Sequence, residues 1–359
     1  MINEYAQRRA SIGKELCERK LDAMLVTSPA NVRYLTGFTG SNGAVLLLDG
    51  EAVFFTDPRY AIQSRLEISC PVQVCKGPIL TAVAGFAVRR RLGLLGFERS
   101  NLSYDGYAKL REKLPDKVAL EPVSGWLEQR RMVKSPAEID LIRRSVATNS
   151  KAFEQAARRV REGMRERDLA AEIEHQMHRL GAEKPSFETI VASGERTALP
   201  HAHPTSAALQ PGQLLLIDMG TFQDGYASDM TRMLFLGTPS ARVKHMYKAV
   251  LEAQLAAIAA VKPGATTMHV DRRARQVLKG HGLDRAFVHS TGHGLGLEIH
   301  ELPRIGRKDK TKLAVGMAIT IEPGAYIEGF GGVRIEDTVV VTPHGCEILT
   351  PTSKELRCV

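Results

Sequence analysis

The chain has 359 residues, 43% of them apolar and 25% charged, with a formal net charge of +9 and five cysteines. That length exceeds one ordinary core, so two domains are expected, and the composition is that of a globular protein rather than a fibrous or disordered one. The cations are spread along the chain and the densest run, Arg89-Arg90-Arg91, has no basic-aromatic motif beside it, so no nucleic-acid partner is expected.

Cys17, Cys70, Cys75, Cys346 and Cys358 are odd in number and lack paired spacing, which argues against a disulfide framework or a zinc knuckle. The start, Met-Ile-Asn-Glu-Tyr-Ala-Gln-Arg-Arg, has no apolar signal core. No stretch approaches the length of a membrane span, so a cytoplasmic chain without a membrane partner is expected.

Residues 21–60 alternate apolar runs with turn signals: Ala23-Met-Leu-Val-Thr, Ala44-Val-Leu-Leu-Leu and Ala52-Val-Phe-Phe-Thr are strand-like, with Gly37, Gly40, Gly43 and Asp49-Gly50 between them. Helical stretches follow up to residue 130, so this half is expected to be a small α/β domain. The segment from Trp126 to Lys134 is polar and basic. Ser135-Pro-Ala-Glu138 then opens a helix, with Ser as N-cap, Pro at the first helical position and Glu at the third. These signals set the expected domains at 1–131 and 132–359.

The second domain contains an internal duplication. Gly163 and Gly181 bracket an apolar-periodic helix, Asp168 to Leu180; Gly264 and Gly282, with the same 18-residue separation, bracket another, Val270 to Leu278. Each is followed by a strand of one pattern, Gly212-Gln-Leu-Leu-Leu-Ile-Asp218-Met-Gly220 and Gly316-Met-Ala-Ile-Thr-Ile-Glu322-Pro-Gly324. In both, a carboxylate falls six residues after the first glycine, and a second carboxylate follows, Asp229 after 11 residues and Glu336 after 14. Four aligned features make chance a poor explanation.

Asp218, Asp229, Glu322 and Glu336, with His293 in Ser290-Thr-Gly-His293-Gly, form a hard, oxygen-rich set suited to a pair of Mn²⁺-like ions. Singly, each has a bland alternative: Asp218 as a turn cap, Asp229 and Glu336 as salt-bridge partners of Arg232 and Arg334. A buried strand-terminal charge needs compensation, and its recurrence in both repeats favours ligation. The three glycines at 292–296 read as a loop that lets backbone approach a ligand. With His293 in the metal set, His289 and His300 are free for proton transfer or oxyanion stabilisation, and His201 in Leu199-Pro-His201-Ala-His203-Pro is a further candidate.

These motifs resemble those of the pita-bread Xaa-Pro peptidases, a group containing aminopeptidase P, prolidase, methionine aminopeptidase and the metal-free creatinase. Ser28-Pro-Ala-Asn31-Val-Arg-Tyr34-Leu-Thr-Gly37-Phe-Thr-Gly40 and Phe55-Thr-Asp57-Pro-Arg59-Tyr60 are similar to the creatinase-type accessory domain, so the resemblance spans nearly the whole chain. It implies a fold of mixed α/β class: an N-terminal creatinase-like α/β domain, then a catalytic pita-bread domain with a pseudo-twofold duplication.

The resemblance also implies two divalent ions, Mn²⁺ first and Co²⁺, Zn²⁺ or Fe²⁺ as alternatives, held by Asp218, Asp229, His293, Glu322 and Glu336. Asp229 and Glu336 fall at shared positions. His201, His289 and His300 match histidines that assist the tetrahedral intermediate, Arg334 matches a positioning arginine, and Glu322 would carry the proton. The implied reaction is hydrolysis of the Xaa-Pro bond at the N-terminus of short peptides by a metal-bridging hydroxide. His300-Glu301-Leu302-Pro303 and the short length point to aminopeptidase P first and to prolidase second. A metal-free binding module of the same fold would lack a ligand, and none is missing. A homodimer is implied as well, with the Gly37–Gly43 stretch approaching the partner's site.

Overall fold

A computed structural model describes residues 2–359, with side chains from residue 4 onward; Met1, the first residue of the stretch read for a signal core, lies outside them. The chain divides into two compact units, Met1–Arg130 and Arg131–Val359.

The first unit is built on a six-stranded sheet of order β4-β3-β2-β1-β5-β6. The three strands read from the sequence are β1 (Ala23–Val26), β2 (Gly43–Leu48) and β3 (Glu51–Thr56), joined antiparallel. The sequence reading gave residues 61–130 to helices alone, yet β4 (Val72–Val74), β5 (Leu94–Glu98) and β6 (Ala119–Val123) add parallel edges there. Helices α1 (Ile2–Glu18), α2 (Pro29–Thr36), α3 (Ala61–Glu67), α4 (Ile79–Arg89), α5 (Tyr104–Lys113) and α6 (Trp126–Arg131) complete the unit.

The glycines at 37–43 answer to packing inside this unit. Gly37 caps α2 at φ 79°. A Cβ on Gly40 would stand 2.3 Å from the Phe38 ring, and one on Gly43 would stand 2.5 Å from Phe54. The basic segment after Trp126 is helical rather than a bare linker, because Trp126 and Leu127 are buried in the core.

In the second unit the duplication is visible element by element. The first repeat pairs α7 (Pro136–Ala157) with α8 (Glu166–Arg179); the second pairs α9 (Ala241–Ala259) with α10 (Thr267–Gly280). Ser135 makes the full capping box with Glu138. Gly163, Gly181, Gly264 and Gly282 all have positive φ, between 73° and 98°, which explains why the repeat preserves glycine at the ends of its second helix.

After short β7 (Lys184–Pro185) and β8 (Ile190–Ser193), the first repeat forms a long hairpin of β9 (Leu214–Met219) and β12 (Met230–Phe235). Between these two strands lie the short β10 (Thr221–Gln223) and β11 (Tyr226–Ala227). The second repeat places β13 (Gly292–Gly294) and β14 (Glu301–Ile305) ahead of the matching hairpin, β15 (Ala318–Ile321) and β18 (Asp337–Thr342). Its own minor strands, β16 (Gly324–Ile327) and β17 (Gly331–Arg334), fill the interval. One large apolar cluster joins Leu216 and Met233 of the first hairpin to Ile319, Ile321 and Val339 of the second, through α9 and α10 residues such as Val250 and Ala274. The two hairpins therefore meet on a common packed base, with their carboxylate ends free to converge.

Candidate metal centre

Each hairpin delivers its acids at or just beyond the end of a strand. Asp218 is the penultimate residue of β9, opposite Thr231, and Asp229 sits in the gap between β11 and β12. Glu322 follows β15 directly, and Glu336 fills the gap between β17 and β18. Asp229 and Glu336, expected in strand-like stretches, thus stand at strand breaks, where the side chain can turn inward without costing ladder bonds.

One donor atom each from Asp229, His293 and Glu336 lies within 4.8 Å of the others. The His293 Nε2 is 3.5 Å from an Asp229 oxygen and 3.4 Å from a Glu322 oxygen. Its Nδ1 is 2.9 Å from the Gly294 carbonyl oxygen, which can only accept, so Nδ1 carries the hydrogen. Nε2 is thereby the ring atom turned to the two carboxylates, which is the orientation a metal-ligating imidazole requires.

The carboxyls of Asp229, Glu322 and Glu336 are all held above their ordinary values, by burial first; Asp229 and Glu336 are pushed further by neighbouring carboxylates. Asp218 Oδ1 and Glu336 Oε1 are buried without a hydrogen-bond partner among the described residues. Unpartnered carboxylate oxygens at this depth cost several kcal/mol unless a cation completes them. The residues present therefore fit divalent metal: hard oxygen donors, one correctly tautomerised imidazole, and lone pairs with nothing else to satisfy them.

The arginines fall differently from the bland pairing. Arg334 bonds Asp218 at 2.6 Å, donates to Thr231 Oγ1 at 3.0 Å and to Tyr326 Oη at 2.8 Å, and among the described residues its hydrogen-bonded link to Glu336 runs through Thr231, whose hydroxyl donates to that carboxylate at 2.8 Å. Arg232 pairs with Asp337 and donates to the Glu336 backbone carbonyl, fixing that main chain from behind. Among the described residues neither arginine is hydrogen-bonded to Asp229, although the Arg334 charge partly offsets that carboxyl's raised pKa.

His289 is half-buried; its Nε2 accepts from Tyr326 Oη at 2.8 Å while Nδ1 donates to the Ser290 carbonyl. Burial, and then the Arg334 charge, pull its pKa down to about 4, so the ring is neutral at physiological pH. His300 is exposed and packs its ring edge-on against His293, with centroids 4.5 Å apart. Although much of the residue is exposed, loss of water on the side of the ring that packs against His293, then the neighbouring His293 and His201 charges, lower its pKa too. His201 lies close enough to influence both His289 and His300.

Tyr326, Thr231 and Thr320 were missed. Thr320 bonds the Glu322 carboxylate at 3.2 Å and receives the His293 N–H at 3.1 Å. A signal existed for both threonines: each stands two residues from a candidate acid and therefore faces the same side of its strand. Tyr326 had none.

The glycines at 292–296 admit neighbouring protein rather than a ligand. A Cβ on Gly292 would stand 1.9 Å from the Thr320 carbonyl oxygen, and one on Gly294 would stand 2.2 Å from that of Leu302. Gly292→Ala is accordingly expected to cost at least the ~1–3 kcal/mol of an overpacked site, seen as a lower urea midpoint than wild type. A midpoint equal to wild type would show that β13 can move away from β15.

Beyond His289 opens a cavity of about 480 Å³ whose wall includes Arg275, Arg304, Arg307 and Lys308, with Asp309 as its one acid. Arg275 is fixed by a two-pronged pair with Asp271 and donates to the Phe287 and His289 carbonyls.

Compared with known proteins, residues 140–343 match metallopeptidase family M24, and residues 8–133 match the creatinase/prolidase N-terminal domain. The chain belongs to metallopeptidase family M24. It is a metal-dependent peptide hydrolase with the pita-bread fold, as the sequence resemblance implied. Among relatives, an Xaa-Pro dipeptidase of Pyrococcus furiosus is 38% identical, with 98% of this chain and 99% of that protein covered. Among solved structures, an Xaa-Pro dipeptidase from Bacillus anthracis superposes with a TM-score of 0.96 at 37% identity, covering 100% of both chains. An X-Pro aminopeptidase from Thermotoga maritima gives 0.90 at 33% identity, covering 95% of this chain and 99% of that one. Among the described residues, no helix of this M24 peptidase is long and apolar enough to cross a membrane.

Proposed function

We propose that this M24 peptidase is an Xaa-Pro dipeptidase, the second of the two activities expected from the sequence, rather than an Xaa-Pro aminopeptidase. The observation that carries this reading is the cationic cavity bordering His289: a dipeptide puts its free carboxylate one residue from the scissile bond, and Arg304, Arg307 and Lys308 line that cavity beside His289 and would pair with such a carboxylate, whereas a longer peptide offers a neutral amide. The full-length relatives named Xaa-Pro dipeptidase support the same choice.

Asp218, Asp229, His293, Glu322 and Glu336 would hold two divalent ions, with Mn²⁺ the first choice for so oxygen-rich a set. Bound there, such ions would lower the pKa of water and polarise the scissile carbonyl. Glu322, whose carboxylate lies 3.4 Å from the His293 Nε2, takes the proton of the attacking water and passes it to the leaving imide nitrogen. A prolyl amide has no N–H, so no residue need accept from it. His300 donates to the developing oxyanion. His201 and His289 flank the intermediate, and Arg334 holds Asp218 and Tyr326 in place. The substrate's α-amine lies against the carboxylates, which enforces exopeptidase action.

Hydrolysis of an Xaa-Pro dipeptide and an Xaa-Pro-Yaa tripeptide, beside metal analysis, tests the reading. Dipeptide cleavage is expected to dominate; tripeptide preference would return the aminopeptidase. Arg304→Met is expected to lower kcat/KM for the dipeptide by about 10–100-fold, the ~1.5–3 kcal/mol of a charge-assisted hydrogen bond, mainly through KM.

We further propose a boundary at residue 131 between accessory and catalytic domains, supported by the division after Arg130 and by the two family matches. A cytoplasmic location is proposed too, supported by five free thiols. So is a homodimer with the Gly37–Gly43 segment approaching the neighbouring copy's site. Sedimentation as a monomer that still selects short peptides would overturn the dimer.

A further inference from the structure

We propose that a buried ionic clamp, Arg131–Glu301–Lys134, is a positioning device that holds His300 over the carboxylate cluster. This rests on reading His300 as an oxyanion donor. His300 is an exposed residue whose ring contact, among the described residues, is the edge of His293, so its placement falls largely to its backbone. A transition-state donor must be held to within about half an ångström. The neighbouring residue supplies that constraint.

Glu301 opens β14 beside His300, and its carboxylate is bonded on both oxygens. Oε1 accepts from the Arg131 guanidinium and, at 3.1 Å, from the Glu298 N–H; Oε2 lies 3.1 Å from Lys134 Nζ. The three charged side chains are only 2–4% exposed, while Glu298, the second acid on Arg131, is 51% exposed. The attraction of both cations outweighs the effect of burial and keeps the Glu301 carboxyl below its usual range.

The cations are anchored to the strand that presents Glu322. The Lys134 N–H bonds the Gly316 carbonyl at 2.9 Å, and Val133 bridges Met317, immediately before β15. The loop between His293 and His300 is tied on its other side, where the Ala227 N–H donates to the Gly296 carbonyl at 2.7 Å, two residues before Asp229. A Cβ on Gly296 would stand 3.0 Å from both Glu301 oxygens, so the loop closes directly onto the clamp.

Stability alone does not account for this. Burying each ion costs several kcal/mol, and apolar residues of the same volume commonly do as well or better. What apolar packing lacks is direction. Two cations converging on separate oxygens of one carboxylate fix both its position and its rotation, and with it the backbone that carries His300.

The test compares Glu301→Gln, Lys134→Met, His300→Ala and the double variant Glu301→Gln/His300→Ala. Lys134→Met leaves the Arg131–Glu301 pair intact and keeps the test open if Glu301→Gln does not fold. Both clamp variants are expected to keep wild-type metal content and near-wild-type KM for an Xaa-Pro dipeptide. Their kcat falls on the order of 10–100-fold, the scale for a misplaced catalytic group, and amide hydrogen exchange across residues 296–301 quickens. In the His300→Ala background, Glu301→Gln lowers kcat no further. A double variant in which the two losses multiply, or metal loss in a clamp variant, would overturn the inference alone. Full kcat in His300→Ala would overturn the role proposed for His300 and this inference with it.

Discussion

Glu336→Ala, or Asp229→Ala, is expected to yield a folded protein with no tightly bound divalent metal and no measurable peptidase activity. Asp229, Glu336 and His293 bring donor atoms within 4.8 Å of one another, with Glu322 adjoining, so losing either acid strips a shared corner of the site. The fold survives because the apolar base beneath, from Leu216 to Ile321, does not involve these carboxylates. Two metals per chain and near-normal turnover in either variant would sink the ligand assignment.

The same electrostatics set the sign of a pH effect. In the metal-free protein the Asp229 and Glu336 carboxyls are held above their ordinary values by burial and by like charge. Once pH rises past the ordinary carboxyl range, the unfolded chain has released protons that the folded chain still binds. Stability conferred by those protons is present at low pH and lost as pH climbs through the raised values. The urea midpoint of chelator-treated protein is therefore expected to fall as pH rises above the ordinary carboxyl range, and added Mn²⁺ is expected to reverse the fall. An unchanged midpoint on metal addition at the higher pH would contradict this.

His300→Ala separates donor from ligand. It should retain metal and lose kcat by roughly 10²–10³, the range for removing one transition-state donor. Its ring contacts His293 edge-on without belonging to the carboxylate cluster, so metal content should not change. Metal loss in this variant would make His300 a ligand and reopen the role of His293.

The acids and the repeat were legible because both have a local cause. Positive-φ glycines end the second helix of each repeat, and a strand-terminal acid recurs at one offset from a glycine. Strands β4 and β6 were not legible: Val72–Val74 is three residues long, and Ala119–Val123 carries Glu121 and Pro122 on a largely exposed edge, so neither shows an apolar run. The partner of each arginine was equally hidden. Arg334 meets Asp218 across 116 positions, and only the meeting of the two hairpins decides that pairing. The cationic cavity gathers residues 275 to 308 from a helix, a strand and a loop, so the chain-level impression of evenly scattered charge dissolves at that surface.

On the proposed ligand assignment neither repeat owns a binding site, because Asp218 and Asp229 come from one repeat and Glu322 and Glu336 from the other. Metal concentration then behaves as a folding variable. Binding strengthens the association of two half-domains, and the gain follows mass action, ~2.7 kcal/mol for each independent site at a hundredfold excess over its Kd. A chain cut in the exposed connection ahead of Ala241 would make this concrete: its two fragments should reassemble more tightly with Mn²⁺ than with chelator, so the cation serves as mortar between halves as much as a reagent.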